Sequence, residues 1–168
     1  MQHKNKDYKP LKHDRFKALT VRQPWADKIA NRQKKFEVRN YSTSYRGELI
    51  ITSTKSDEYP RSGVTICRVN LIDCKKFRDL TEEEKYQTAI PKDKWNNYNG
   101  SYAWELENPT PINQIPVKGQ QRIWNLVTDR GDLQDYQVRE VPSKDYSKRN
   151  VIIVAIIVLA GLLTWIVV

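Results

Sequence analysis

The chain has 168 residues, 29 Lys plus Arg against 20 Asp plus Glu, and a formal net charge of +9. That length holds one domain of ordinary size and excludes a second. With only two cysteines and two histidines, it excludes a disulfide scaffold and a closely spaced zinc centre.

Most of the charge sits at the start. Residues 1–40 carry 12 basic and 4 acidic side chains, net +8, whereas residues 41–100 are net +1 and residues 101–150 are neutral. Residues 1–16 read as a basic, disordered arm, a feature that goes with an anionic partner. Lys17 to Val21 alternates as a strand. Pro24 stands at a helix start, where its missing N–H costs nothing, and Trp25 to Arg32 follows as a short helix with Ala26, Ile29 and Ala30 on one face. Lys35 to Arg39 alternates again, with Phe36 and Val38 on one face and Lys35, Glu37 and Arg39 on the other. Arg46-Gly47 is a turn, and Leu49 to Thr54 a strand.

Gly63 opens a strand running through Val64, Ile66, Val69, Leu71 and Ile72. Thr81-Glu82-Glu83-Glu84 has the form of a capping box. Tyr102 to Leu106 is a strand ended by Asn108-Pro109, and Ile123 to Val127 is the last one. Residues 128–149, with five acids and five bases, read as a charged tether. Val151 to Val168 has no charge and 16 apolar residues of 18. As a helix it spans about 27 Å, close to the ~30 Å hydrocarbon core of a bilayer. It is expected to be a single-pass, tail-anchored transmembrane helix. Lys144, Lys148 and Arg149 before it place the rest of the chain on the cytoplasmic side of the membrane.

Several short motifs occur in a specific order. Ala18-Leu-Thr-Val-Arg-Gln-Pro-Trp-Ala26 is followed by Lys34-Lys-Phe-Glu-Val-Arg39, Tyr45-Arg-Gly47, and Gly63-Val-Thr-Ile-Cys-Arg-Val-Asn-Leu-Ile-Asp-Cys74. Tyr102-Ala-Trp-Glu-Leu-Glu-Asn-Pro109, Pro116-Val-Lys-Gly119 and Ile123-Trp124 close the series. Together they resemble the ASCH domain, over residues 17–127. The resemblance implies an α+β fold: a small PUA-like β-barrel with flanking short helices, here with the C-terminal transmembrane helix at 150–168. It also implies RNA, a nucleotide or a modified nucleoside as partner. No cofactor and no metal site is expected.

The implied ligand-binding residues are Arg22, Gln23, Trp25, Lys34, Glu37, Arg39, Tyr45 and Arg46. Arg grips phosphate or a base edge, Glu accepts from an exocyclic amine, and Lys serves as a point charge or proton shuttle. The alternative for Glu37 and Arg39 is an ion pair on an exposed strand face. For Trp104 and Trp124 the expectation is core packing; Trp25 is open between packing and base stacking. In the amidohydrolase subgroup of the family, a Lys and a Thr three positions later form the catalytic pair. Lys34 matches that Lys, but Glu37 occupies the Thr position. If the protein is a hydrolase of RNA or of a nucleoside, Lys34 and Glu37 are its candidate catalytic residues. A third reading is a docking module for a protein near the membrane.

Overall fold

Among the described residues the apolar pattern folds into six strands. The computed structural model describes residues 14–56 and 58–135. Their order is β1 (Asp14–Val21), α1 (Trp25–Ala30), β2 (Phe36–Arg39), β3 (Gly47–Ser53), β4 (Thr65–Lys76), α2 (Glu82–Tyr86), β5 (Tyr102–Pro111) and β6 (Ile123–Thr128). Short 3-10 turns add Phe77–Asp79, Lys92–Tyr98 and Arg130–Leu133.

The strands form one sheet in the order β2-β5-β4-β3-β1-β6. All neighbours are antiparallel except β1 and β3, which run parallel with Ala18 opposite Ile50. The order has two ends, β2 and β6, so the sheet is a curled half-barrel, consistent with the small PUA-like β-barrel expected. Its curl brings β2 to β1 from the far end of the order: Arg39 Nη2 donates to the Thr20 carbonyl at 2.7 Å.

Two faces of the central strands are buried, which explains why β3 reads Leu-Ile-Ile rather than alternating. Leu19, Val21, Leu49 and Ile51 pack with Ala26 and Ile29 of α1 and with Ile66, Val69, Leu71 and Trp104. Ala18 and Ile50 turn the other way, onto Phe16, Ile112, Trp124, Leu126 and Leu133. A satellite cluster of Phe36, Phe77, Leu80 and Ala103 closes the β2 end. Trp104 and Trp124 are both buried, as expected.

Several boundaries differ from the expectation, each for a local reason. β1 starts at Asp14, inside the expected arm, because Phe16 packs in the second cluster and Asp14 pairs with Arg130 at 3.0 Å. Residues 128–135, expected as tether, also belong to the domain. Leu133 is buried, Asn113 N donates to the Gln134 carbonyl, and Ile112 bridges Asp135. β5 does not stop at Asn108-Pro109. Asn108 takes φ 52°, and the register with β4 shifts by one residue there, so the pair forms a bulge within a longer strand. A second shift beside Ile72 leaves that side chain exposed. The capping box at Thr81 and Glu84 forms as expected, with both reciprocal hydrogen bonds.

The two cysteines are free thiols, and burial pushes the Cys67 thiol up to about 12. Such a thiol stays protonated at neutral pH and is a packing residue rather than a nucleophile. Residues 1–13 of the expected arm, the tether from 136 onward and the expected transmembrane helix at 150–168 lie outside the described residues. Among the described residues no helix is long and apolar enough to cross a membrane.

Candidate functional site

A cleft of about 790 Å³ opens where β1 ends, beside β2 and the segment between α2 and β5. Its lining divides by chemistry. Lys34, Glu37 and Arg39 are charged and withdrawn from solvent. Val21, Val38, Ala89, Ile90, Pro91 and Tyr98 supply apolar or aromatic surface. Arg22 and Lys94 are exposed cations at the rim, and Trp25 is a large aromatic side chain left 39% exposed.

The floor is built by the turn that ends α1. Arg32 takes φ 61°, and the amides of Gln33 and Lys34 both return to the Lys28 carbonyl. This reversal drops Lys34 into the interior, where only 4% of it is exposed. Its ammonium donates to the Thr88 carbonyl at 2.5 Å and lies 3.5 Å from Glu37 Oε2. Burial pulls the Lys34 ammonium below its ordinary range, and the Glu37 carboxylate opposes that shift. On the other side, Arg39 Nε sits 3.0 Å from Glu37 Oε1. That contact is an ion pair without the alignment of a hydrogen bond, since Arg39 Nε has no hydrogen-bond partner among the described residues. Glu37 is thus a 7%-exposed carboxylate between two cations, one on each oxygen. In place of the exposed ion pair expected as the alternative, a buried Glu37 pairs with a half-buried Arg39, and the pair faces a cavity.

Behind the floor, the Thr20 hydroxyl is a junction. It lies within hydrogen-bond distance of Thr52 Oγ1 at 3.2 Å and accepts from the Gln120 amide and from Trp124 Nε1, both at 3.1 Å. The strap Gly119-Gln120-Gln121 therefore lies against β1 and forms one wall of the cleft. A Cβ at Gly119 would come within 2.7 Å of Thr20 Cγ2, so that close approach requires glycine.

The sequence-predicted residues separate into two groups. Arg22, Trp25, Lys34, Glu37 and Arg39 meet in the cleft. Gln23 does not line it. Its side chain is buried, donates to the Arg61 carbonyl at 2.8 Å and accepts from the Asp27 amide at 3.2 Å, so it fastens the start of α1 to a neighbouring loop. Tyr45 and Arg46 lie outside the lining as well. The Tyr45 hydroxyl donates to the Glu48 carbonyl at 2.6 Å, and Arg46 binds the Thr43 and Tyr45 carbonyls and Asp73. Their hydrogen bonds hold the turn into β3 and tie it to β4.

Lys35 also departs from the expected face. β2 begins at Phe36, and the amides of Lys35 and Phe36 both point to the Gln87 carbonyl. Lys35 then pairs with Glu105 at 2.8 Å, outside the cleft, while Lys34 takes the place beside Glu37. The wall residues 89–91, Lys94 and Tyr98 carried no sequence signal. The strap did, as the Pro116-Val-Lys-Gly119 motif.

Comparisons with known proteins agree with this architecture. Residues 19–116 match the ASCH domain family. The chain is 26% identical over 157 aligned residues to activating signal cointegrator 1 of Mus musculus, and 25% identical over 160 to the Homo sapiens protein. Each alignment covers 79% of this chain but only 24% of the relative, so the chain spans about a quarter of those proteins. The crystal structure of ASCH from Zymomonas mobilis superposes with a TM-score of 0.54 at 15% identity, covering 66% of this chain and 86% of the other. At that identity the likeness speaks for the fold alone.

Proposed function

This chain belongs to the ASCH domain family, and on that basis we propose that its cleft binds single-stranded RNA, seating a nucleotide with its base inward. The observation that carries this reading is the ordering of chemistry from rim to floor. Two exposed cations, Arg22 and Lys94, offer phosphate contacts, and a part-exposed Trp25 offers a stacking face. The apolar wall from Ala89 to Pro91 suits the flat body of a base, and the withdrawn Glu37 and Arg39 suit its polar edge. The opening admits an unpaired base, which a continuous duplex keeps stacked inside.

The test is the salt dependence of binding by the full chain to a short fluorescent single-stranded RNA. Affinity is expected to fall log-linearly with salt. In Arg22→Ala/Lys94→Ala the slope should shrink by about 1.4, which is about 0.7 for each phosphate that the variant no longer neutralises. Binding that ignores salt, or a double variant with the wild-type slope, would contradict the rim assignment.

A hydrolytic reading has one observation in its favour. Lys34 is a buried lysine whose affinity for its proton is lowered, and it lies 3.5 Å from a carboxylate. Both groups are already engaged, with Thr88 and Arg39 respectively, and position 37 lacks the hydroxyl of the amidohydrolase pair. Product analysis of the same RNA incubations separates the readings. Intact RNA over many binding lifetimes argues for a binding module, and cleavage abolished in Lys34→Ala argues for an enzyme.

We place the domain at the cytoplasmic face of a membrane on the uncharged composition of residues 151–168 and the three preceding cations. The full chain should then resist alkaline extraction from membranes, and removal of residues 151–168 should release it. Extraction of the intact chain would count against the anchor.

A further inference from the structure

We infer that Glu37 is a specificity-determining residue, selecting bases that carry an exocyclic amino group over uracil. This inference rests on the RNA-binding reading above and asks which base the floor accepts.

A carboxylate is an acceptor only, with about four lone-pair sites on its two oxygens. In Glu37, Lys34 and Arg39 each approach one oxygen, and neither contact is a short, well-aligned hydrogen bond. Acceptor capacity therefore remains on a group that lines the cleft and is only 7% exposed. Burying it further under a ligand is costly unless that ligand supplies N–H donors.

The rim sets the ligand's direction. Arg22 and Lys94, exposed to solvent, draw the phosphates there. A base edge is then what faces Glu37. Adenine and cytosine offer an amino group there. Uracil offers one ring N–H flanked by two carbonyl oxygens, which would be turned toward the carboxylate. Arg39, beside Glu37, supplies the complementary donor for a ring nitrogen or carbonyl next to the amine.

The experiment compares affinities of the full chain for labelled oligo(A), oligo(C) and oligo(U) of equal length at one salt concentration. Oligo(A) and oligo(C) are expected to bind about tenfold or more tighter than oligo(U), within the range for one good base contact. In Glu37→Gln the difference should shrink to about threefold or less, because an amide both donates and accepts. A ligand-side control needs no protein variant and so cannot fail through misfolding. An oligomer of purine riboside, which is adenosine without its 6-amino group, should bind about tenfold more weakly than oligo(A). Equal affinity for oligo(A), the purine riboside oligomer and oligo(U) would overturn the inference while leaving RNA binding intact. So would a preference that survives in folded Glu37→Gln. Failure to bind any of them would overturn the RNA reading itself.

Discussion

Trp104→Ala is expected to lower the free energy of unfolding by about 3–5 kcal/mol, the range for emptying a large aromatic site in a closed core. Trp104 is fully buried, and it is the largest such side chain among the described residues. Its ring meets Tyr41 edge-on at 5.3 Å, and its indole N–H donates to the Tyr41 carbonyl at 3.2 Å. The substitution removes the packed area, the aromatic pair and the hydrogen bond together, leaving a carbonyl without its donor. A small domain holds only about 5–15 kcal/mol in total, so about a fifth or more of its stability is at stake. Chemical denaturation should show a lower midpoint with the slope against denaturant unchanged. Trp104→Phe retains most of the apolar surface and should lose about half as much or less. A Trp104→Ala midpoint within error of wild type would mean that the core is assembled differently. The effect should also reach the cleft, because Trp104 on β5 stands opposite Glu37 on β2.

Trp25→Ala is expected to weaken RNA binding by about 1–3 kcal/mol, or about 5- to 150-fold, with little change in fold. The separation of the two effects follows from exposure. Trp25 is 39% exposed at the first position of α1, whereas the helix is held to the sheet by Ala26, Ile29 and Ala30. Removing the indole therefore takes away surface at the cleft and leaves the helix face in place. Trp25→Phe should recover most of the affinity, since a smaller ring still stacks. Binding by fluorescence anisotropy, with thermal melts run alongside, checks both halves. Unchanged affinity in Trp25→Ala would assign the indole to local packing and remove it from the site.

The contrast between these tryptophans shows what pattern alone can decide. Alternation and apolar runs placed β1, β3, β4 and β6, because burial imposes a two-residue period or an unbroken run wherever one or both faces are covered. The Thr81 capping box was legible for the same reason: its hydrogen bonds lie within four residues. The site was legible only in part. Lys34 and Lys35 are chemically alike and adjacent, and strand alternation favours Lys35. The choice is made by the left-handed turn at Arg32 and by the late start of β2 at Phe36, where the amides of Lys35 and Phe36 meet the distant Gln87 carbonyl that no local pattern contains. Gln23, Tyr45 and Arg46 have the right functional groups, but neighbouring carbonyls and side chains engage them. The wall at 89–91 and the 3-10 turn Lys92–Tyr98 have no repeating pattern. They are positioned by Lys34 reaching the Thr88 carbonyl and by Trp95 donating to the Ile90 carbonyl at 3.0 Å.

The Thr20 junction explains how β1 shapes so much of the cleft. Its hydroxyl meets β3, the strap and β6, while its carbonyl receives Arg39 from β2. One residue thus ties the two ends of a curled sheet to the wall that a ligand would touch.

Entry of RNA into this cleft with its base toward Glu37 can be read out by ultraviolet crosslinking. The full chain is linked to a short single-stranded RNA, and the linked residues are identified by mass spectrometry. Crosslinks are predicted at Trp25 and Tyr98 and on the Gly119-Gln120-Gln121 strap, and they should diminish when unlabelled oligo(A) competes. Crosslinks confined to residues outside the cleft, such as the β6 edge, would contradict binding there, as would the failure of any crosslink to form under conditions of measured binding.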